Sequence, residues 1–87
     1  MARYYLEIKP SAAKELDALS DALFVRMDRK IMALAENPRP PGCKKLQGRK
    51  DQWRVRVGDH RVVYTIIDAK LLVEVTRVRH RSEVYEP

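Results

Sequence analysis

The sequence predicts an α+β fold, a mainly antiparallel sheet with a helical hairpin packed on one face. Two changes of hydrophobic period along the chain carry that prediction. An alternating segment opens the chain, two apolar stripes at helical spacing follow, and three β-branched runs separated by turn residues close it. The expected order is β-α-α-β-β-β in a single domain spanning residues 1–87.

Tyr4, Leu6 and Ile8 alternate with Tyr5, Glu7 and Lys9, the period of two expected of a strand with one buried face. Pro10 ends that strand, and Ser11 is placed as the N-cap of a short helix in which Ala12, Leu16 and Leu19 recur at i, i+4 and i+7. Ser20 and Asp21 interrupt the stripe. Leu23, Met27, Ile31 and Leu34 then repeat the spacing over a longer helix, with Arg26, Asp28, Arg29 and Lys30 on its solvent side. Asn37-Pro38 stops it, because the residue before a proline is pushed out of the α region. From Pro38 to Asp51, three prolines, two glycines and Lys44, Lys45, Arg49 and Lys50 predict a basic loop. Residues 52–57, 60–68 and 71–80 are the strands of a meander, joined at Gly58-Asp59 and Ala69-Lys70.

With 87 residues the chain supports one core, and no apolar run reaches the roughly 20 residues that span a bilayer. The amino-terminal segment has no signal-peptide pattern, so the expected location is cytoplasmic, with no membrane partner. A single cysteine, Cys43, forms no internal disulfide, and no Cys or His pair has metal-ligand spacing, so no metal or cofactor is expected. The net charge of +6 is uneven: residues 1–43 carry seven Lys and Arg against six Asp and Glu, while residues 44–87 carry eleven against six. A basic half of this kind calls for a polyanion.

A two-residue Gly58-Asp59 turn pairs Val57 with His60, Arg56 with Arg61 and Trp53 with Tyr64. Paired residues share a face, so Trp53, Val55, Val57, Val62, Tyr64 and Ile66 face the helices while Arg54, Arg56 and Arg61 share the opposite face. Arg56 opposite Arg61 is a like-charge pair, disfavoured by up to about 1 kcal/mol. Guanidinium forks match phosphate oxygens, so these arginines read as a phosphodiester cradle. The competing role is structural, with the arginines lying over Val63 and bonding carboxylates such as Glu74. The last strand has two readings. A two-residue turn at Ala69-Lys70 buries Leu71, Val73 and Val75 but puts Arg77 and Arg79 on the helix face. A three-residue turn aligns Arg77 with Arg61, and a bulge could reconcile either reading.

With that layout in view, the chain resembles the RelE/ParE toxin family of toxin-antitoxin modules, above all its RelE-like branch. The resemblance is carried by Ala13-Lys14-Glu15-Leu16 with Leu19, by Asn37-Pro38, and by Lys45-Leu46-Gln47-Gly48. It is most specific in the segment Trp53 to Tyr64 and in His80-Arg81-Ser82-Glu83-Val84-Tyr85. It implies a cytoplasmic, metal-independent endoribonuclease that cuts mRNA in the ribosomal A site, and a separately encoded RelB-like antitoxin that masks the basic surface. By motif, Arg61 would stabilise the phosphate, Arg54 and Arg56 would hold the scissile region, and Tyr85 would stack on a base or move a proton. Arg81 and Arg79 both fit a further catalytic arginine. Lys44, Lys45, Arg49, Lys50, Arg77, Arg79 and His80 would contact RNA.

One departure from the family matters. RelE-like toxins have lysines at the positions matching Arg54 and Arg56, and a guanidinium, with a pKa above about 12, cannot act as a base near neutrality. The proton must then go elsewhere, and the candidates are Tyr85, His80 and His60, of which His60 is predicted to face the helices. The competing functions are a ParE-like inhibitor of DNA gyrase that cuts no RNA, and an inactive RNA-binding relative.

Overall fold

The computed structural model describes residues 3–48, 50–80 and 82. Five strands form one sheet in the order β1-β5-β4-β3-β2, and both helices pack on the same face. β1 (Tyr5–Ile8) lies parallel to β5 (Leu72–His80), and every other pairing is antiparallel. The parallel pair is possible because α1 (Pro10–Asp17) and α2 (Asp21–Ala33) intervene, returning the chain to the far side of the sheet.

The core is the predicted one. Ala12 and Leu16 of α1 and Met27, Ile31 and Leu34 of the second apolar stripe meet Val55, Val57, Val62, Tyr64, Ile66, Val73 and Val75. Tyr64 is fully buried at the centre, and its hydroxyl donates to the Pro38 carbonyl at 2.7 Å. Burial raises its pKa, so the phenol stays protonated and able to donate. Tyr4 and Leu6 pack against the core as expected, but Ile8 lies at the rim, 36% exposed.

Several local expectations change. Lys9, not Ser11, is the N-cap of α1; Pro10 takes the first helical position, where its missing N–H and fixed φ cost nothing. The Ser11 hydroxyl instead donates to the Thr76 carbonyl at 2.7 Å. Ser20, read as an interruption, caps α2 by accepting the Leu23 N–H. Within the predicted loop, Lys44 and Lys45 form a two-residue strand β2 on the edge of β3 (Gln52–Val57). β4 (His60–Ile67) ends in a short 3₁₀ turn, Asp68–Lys70, closed by Leu71 in the left-handed region at φ 49°. Leu71 is therefore 38% exposed rather than buried.

A bulge settles the parity of the last strand. Tyr64 pairs with Val75 but Val63 pairs with Arg77, leaving Thr76 as the extra residue. The Thr76 hydroxyl donates to the Val63 carbonyl at 3.2 Å and supports the kink. Val73 and Val75 stay in the core before the bulge and Val78 after it, while Arg77 and Arg79 pass to the outer face. Neither turn reading alone produces this arrangement. Among the described residues, no helix is long and apolar enough to cross a membrane.

Candidate anion-binding cleft

The register of β3 and β4 is the predicted one: Val57 with His60, Arg56 with Arg61, Arg54 with Val63. Extending it to both neighbours produces two rows on the outer face. One row is Lys44, Arg54, Val63 and Arg77 across β2, β3, β4 and β5; the other is Arg56, Arg61 and Arg79 across β3, β4 and β5. Neighbouring strands lie about 4.8 Å apart, so the cations crowd one another. Lys44, Arg54, Arg56 and Arg61, with Gly42, line a cleft of about 130 Å³. None of these four side chains makes an ion pair or hydrogen bond among the described residues. Glu74, the expected structural partner, turns instead to Lys9 at 3.6 Å.

The other predicted contact residues are distributed differently. Arg77 and Arg79 share the outer face but meet a carboxylate. Glu15 accepts from Arg77 Nη2 at 2.9 Å and Nε at 3.2 Å, lies 3.7 Å from Arg79 Nε, and accepts the Val78 N–H at 2.6 Å. β1 ends alongside Val75, so Glu15 and Ser11 of α1 satisfy the next stretch of the β5 edge in place of a strand. Lys45 pairs with Trp53, which packs against the core, and so stands on the helix side of the sheet, away from the cleft. Lys50 is exposed in the turn before β3 and does not line the cleft.

His80 pairs with His60 on the helix-facing side, their rings edge to face at 5.2 Å, with His80 Nδ1 2.9 Å from the Ser82 hydroxyl. Neither histidine lines the cleft, because strand parity sends them to the face opposite Arg61. Arg49, Arg81 and Tyr85 lie outside the described residues. Among the described residues, no three His, Cys, Asp or Glu side chains stand close enough to share a metal ion.

Two features escaped the sequence reading. A second cationic groove opens between α2 and the β3–β4 turn, with Arg26, Arg29 and Lys30 on one side and Arg56 on the other. The i, i+3, i+4 spacing of the three helical cations was a signal for a shared face, but the groove depends on tertiary packing. The second is an anchor for the segment before β2. Arg39 stacks over Trp53 at 5.1 Å and pairs with Asp68 at 2.9 Å, while the Tyr4 hydroxyl donates to the same carboxylate. Hydrogen bonds from Arg39 and Tyr4 hold the Asp68 pKa below the usual carboxylate range.

Two helices on one face of a five-stranded sheet, with arginines lining the other face, make a small basic α+β domain, and the comparisons with known proteins give its family. The family model for the ParE toxin of type II toxin-antitoxin systems matches residues 6–85. The chain is 34% identical to the mRNA interferase toxin RelE of Escherichia coli K12, over 94% of this chain and 90% of that protein. The toxin in the intact E. coli RelBE toxin-antitoxin complex superposes with a TM-score of 0.78 at 29% identity, covering 88% of this chain and 95% of that one. The archaeal RelE-RelB complex from Pyrococcus horikoshii gives 0.82 at 25% identity, covering 94% and 99%. The chain belongs to the RelE/ParE superfamily of type II toxins.

Proposed function

We propose that the protein is the toxin of a type II toxin-antitoxin pair, an endoribonuclease that cuts mRNA on the ribosome and so stops translation. The observation that carries this reading is the gathering of Lys44, Arg54, Arg56 and Arg61 around one cleft, with no acidic partner among the described residues. Like charges brought together this way destabilise the sheet unless an anion sits among them. A phosphodiester fits the demand, because guanidinium forks bind its oxygens bidentately and strengthen their hold as a phosphorane gathers charge.

In the reaction the ribose 2′-hydroxyl attacks the adjacent phosphorus. Arg61, central in its row, stabilises the charge on the phosphorane oxygens, while Arg54 and Arg56 hold the strand on either side. Arg81 and Tyr85 take their catalytic roles from the motif alone. The site acts in the cytoplasm, where ribosomes present the message. A RelB-like antitoxin with an acidic segment would cover the cleft, and isothermal titration against the co-transcribed small protein should show tight, salt-sensitive binding.

The test is cleavage of mRNA on programmed ribosomes. Wild-type protein should cut at a defined position, cut nothing without ribosomes, and lose activity when Arg61 becomes alanine. A second reading, direct inhibition of DNA gyrase, is favoured by the description of the matching family model as a ParE toxin. Intact mRNA together with blocked supercoiling would replace the first reading with the second.

A further inference from the structure

We propose that Lys44 is the general acid of the cleavage reaction, protonating the departing 5′-oxygen. The inference rests on the nuclease reading of the cleft and goes beyond it by assigning a proton transfer. Transesterification forms one bond, from the 2′-oxygen to phosphorus, and breaks one, from phosphorus to the 5′-oxygen. The 2′-hydroxyl proton passes to water. The 5′-oxygen leaves with the electron pair of the broken bond and takes a proton from the Lys44 ammonium, which solvent water then re-protonates.

The assignment follows from what lines the cleft. Gly42 has no side chain, and the guanidiniums of Arg54, Arg56 and Arg61 keep their protons throughout the physiological range. They can neutralise charge but are poor proton carriers. Lys44 is the one ionisable side chain lining the cleft, among the described residues, that is not a guanidinium, and its ammonium carries the proton on a single nitrogen. Its register partner is Arg54, so both project from neighbouring strands onto the same face. His60 and His80, the other candidates among the described residues, face the opposite side.

The structure also concentrates support on the backbone around Lys44. A two-residue strand cannot hold itself in place. Pro38 is bonded by buried Tyr64, Arg39 is clamped between Trp53 and Asp68, and Cys43 packs against the core. Gly42 turns the chain at φ +89°, the Cys43 N–H donates to the Pro40 carbonyl, and the Leu46 N–H donates to the Gln52 carbonyl. The Lys44 side chain itself is exposed and bonded to nothing among the described residues. Its place is fixed and its ammonium is available.

The experiment is single-turnover cleavage on saturating programmed ribosomes by wild type, Lys44→Arg and Lys44→Ala. Each is matched for thermal melting and for ribosome affinity by co-sedimentation. Lys44→Arg keeps the charge, so affinity should hold while cleavage falls about 100-fold or more, the scale of a lost general acid. A second message carries sulfur in place of the bridging 5′-oxygen at the cut site. A thiolate leaves without a proton, so both variants should cut this message at nearly the wild-type rate. Wild-type-like cutting of the oxygen message by Lys44→Arg, or an equal defect on both messages, would overturn the proposal and leave Lys44 a phosphate contact. If wild type itself leaves the message intact on ribosomes, the nuclease reading fails instead.

Discussion

Arg61 and Arg79 stand directly opposite each other on the same face of the same sheet, yet their surroundings differ. Around Arg61 the neighbours are Arg56, Arg54 and Lys44, and the charge is uncompensated among the described residues. Around Arg79, Glu15 reaches over from α1 and binds Arg77 as well. The β3–β4 end of the face keeps its full positive charge among the described residues, as the proposed anion site requires, while at the β5 end one carboxylate stands between two arginines. The lesson is that one carboxylate delivered from another element sets the two ends of the face apart, and a charge count along the chain does not reveal it.

The largest expected effect separates the two ends by function. Arg61→Ala should lower the rate of ribosome-bound cleavage by roughly 100- to 1,000-fold, as expected when a donor to developing transition-state charge is removed. Arg77→Ala should leave that rate within a few-fold and show its effect in stability, since it ends an ion pair with Glu15. Single-turnover rates and thermal melts on the two variants check both halves. Equal catalytic losses would erase the distinction between the ends.

Glu15 is the residue on which the distinction turns, and two substitutions divide its work. Glu15→Gln keeps an oxygen for the Val78 N–H but removes the negative charge beside Arg77 and Arg79. RNA affinity should rise, and its salt dependence should steepen by about 0.7 for each cation recruited to a single strand. Glu15→Ala also leaves the Val78 N–H without its acceptor, costing about 1 to 3 kcal/mol more. Fluorescence anisotropy across a salt series and chemical denaturation test these outcomes. An unchanged salt slope in Glu15→Gln would mean the carboxylate is not what holds Arg77 and Arg79 back.

How much of this was legible in the sequence follows the locality of the signals. Strand parity and a two-residue Gly58-Asp59 turn are local, so the arginine face and the pairing of Arg56 with Arg61 could be derived before any coordinates. The turn at Asp68–Lys70 and the Thr76 bulge are not, because a bulge changes parity without changing composition. The role of Glu15 was hidden for a different reason. It lies 62 residues before Arg77, on a helix whose polar positions gave no hint of meeting a strand edge. β2 escaped because two lysines among prolines carry no strand pattern, and only the edge of β3 makes them one.

A smaller effect comes from the anchor behind β2. The hydrogen bonds from Arg39 and Tyr4 lower the folded-state pKa of Asp68, so its stabilisation is present above the ordinary carboxylate range and is lost as pH falls through the lowered value. Asp68→Asn should therefore melt below wild type at neutral pH, and the gap should close below about pH 4. Differential scanning calorimetry between pH 2.5 and 7 checks the sign. A gap that widens on acidification would show that the carboxylate is not the stabilising form.

The smallest effect is expected at Lys45, and it gives the sharpest contrast. Lys44 and Lys45 are adjacent, equally charged and both exposed, and the sequence offers no way to rank them. The strand period of two ranks them: Lys44 pairs with Arg54 on the cleft side, and Lys45 pairs with Trp53 on the helix side. Lys45→Ala should leave the cleavage rate unchanged and weaken ribosome binding by less than about threefold, as for one screened surface charge. Lys44→Ala should impair cleavage. If the two variants behaved alike, the register of β2 would be wrong, and with it the placement of Lys44 in the cleft.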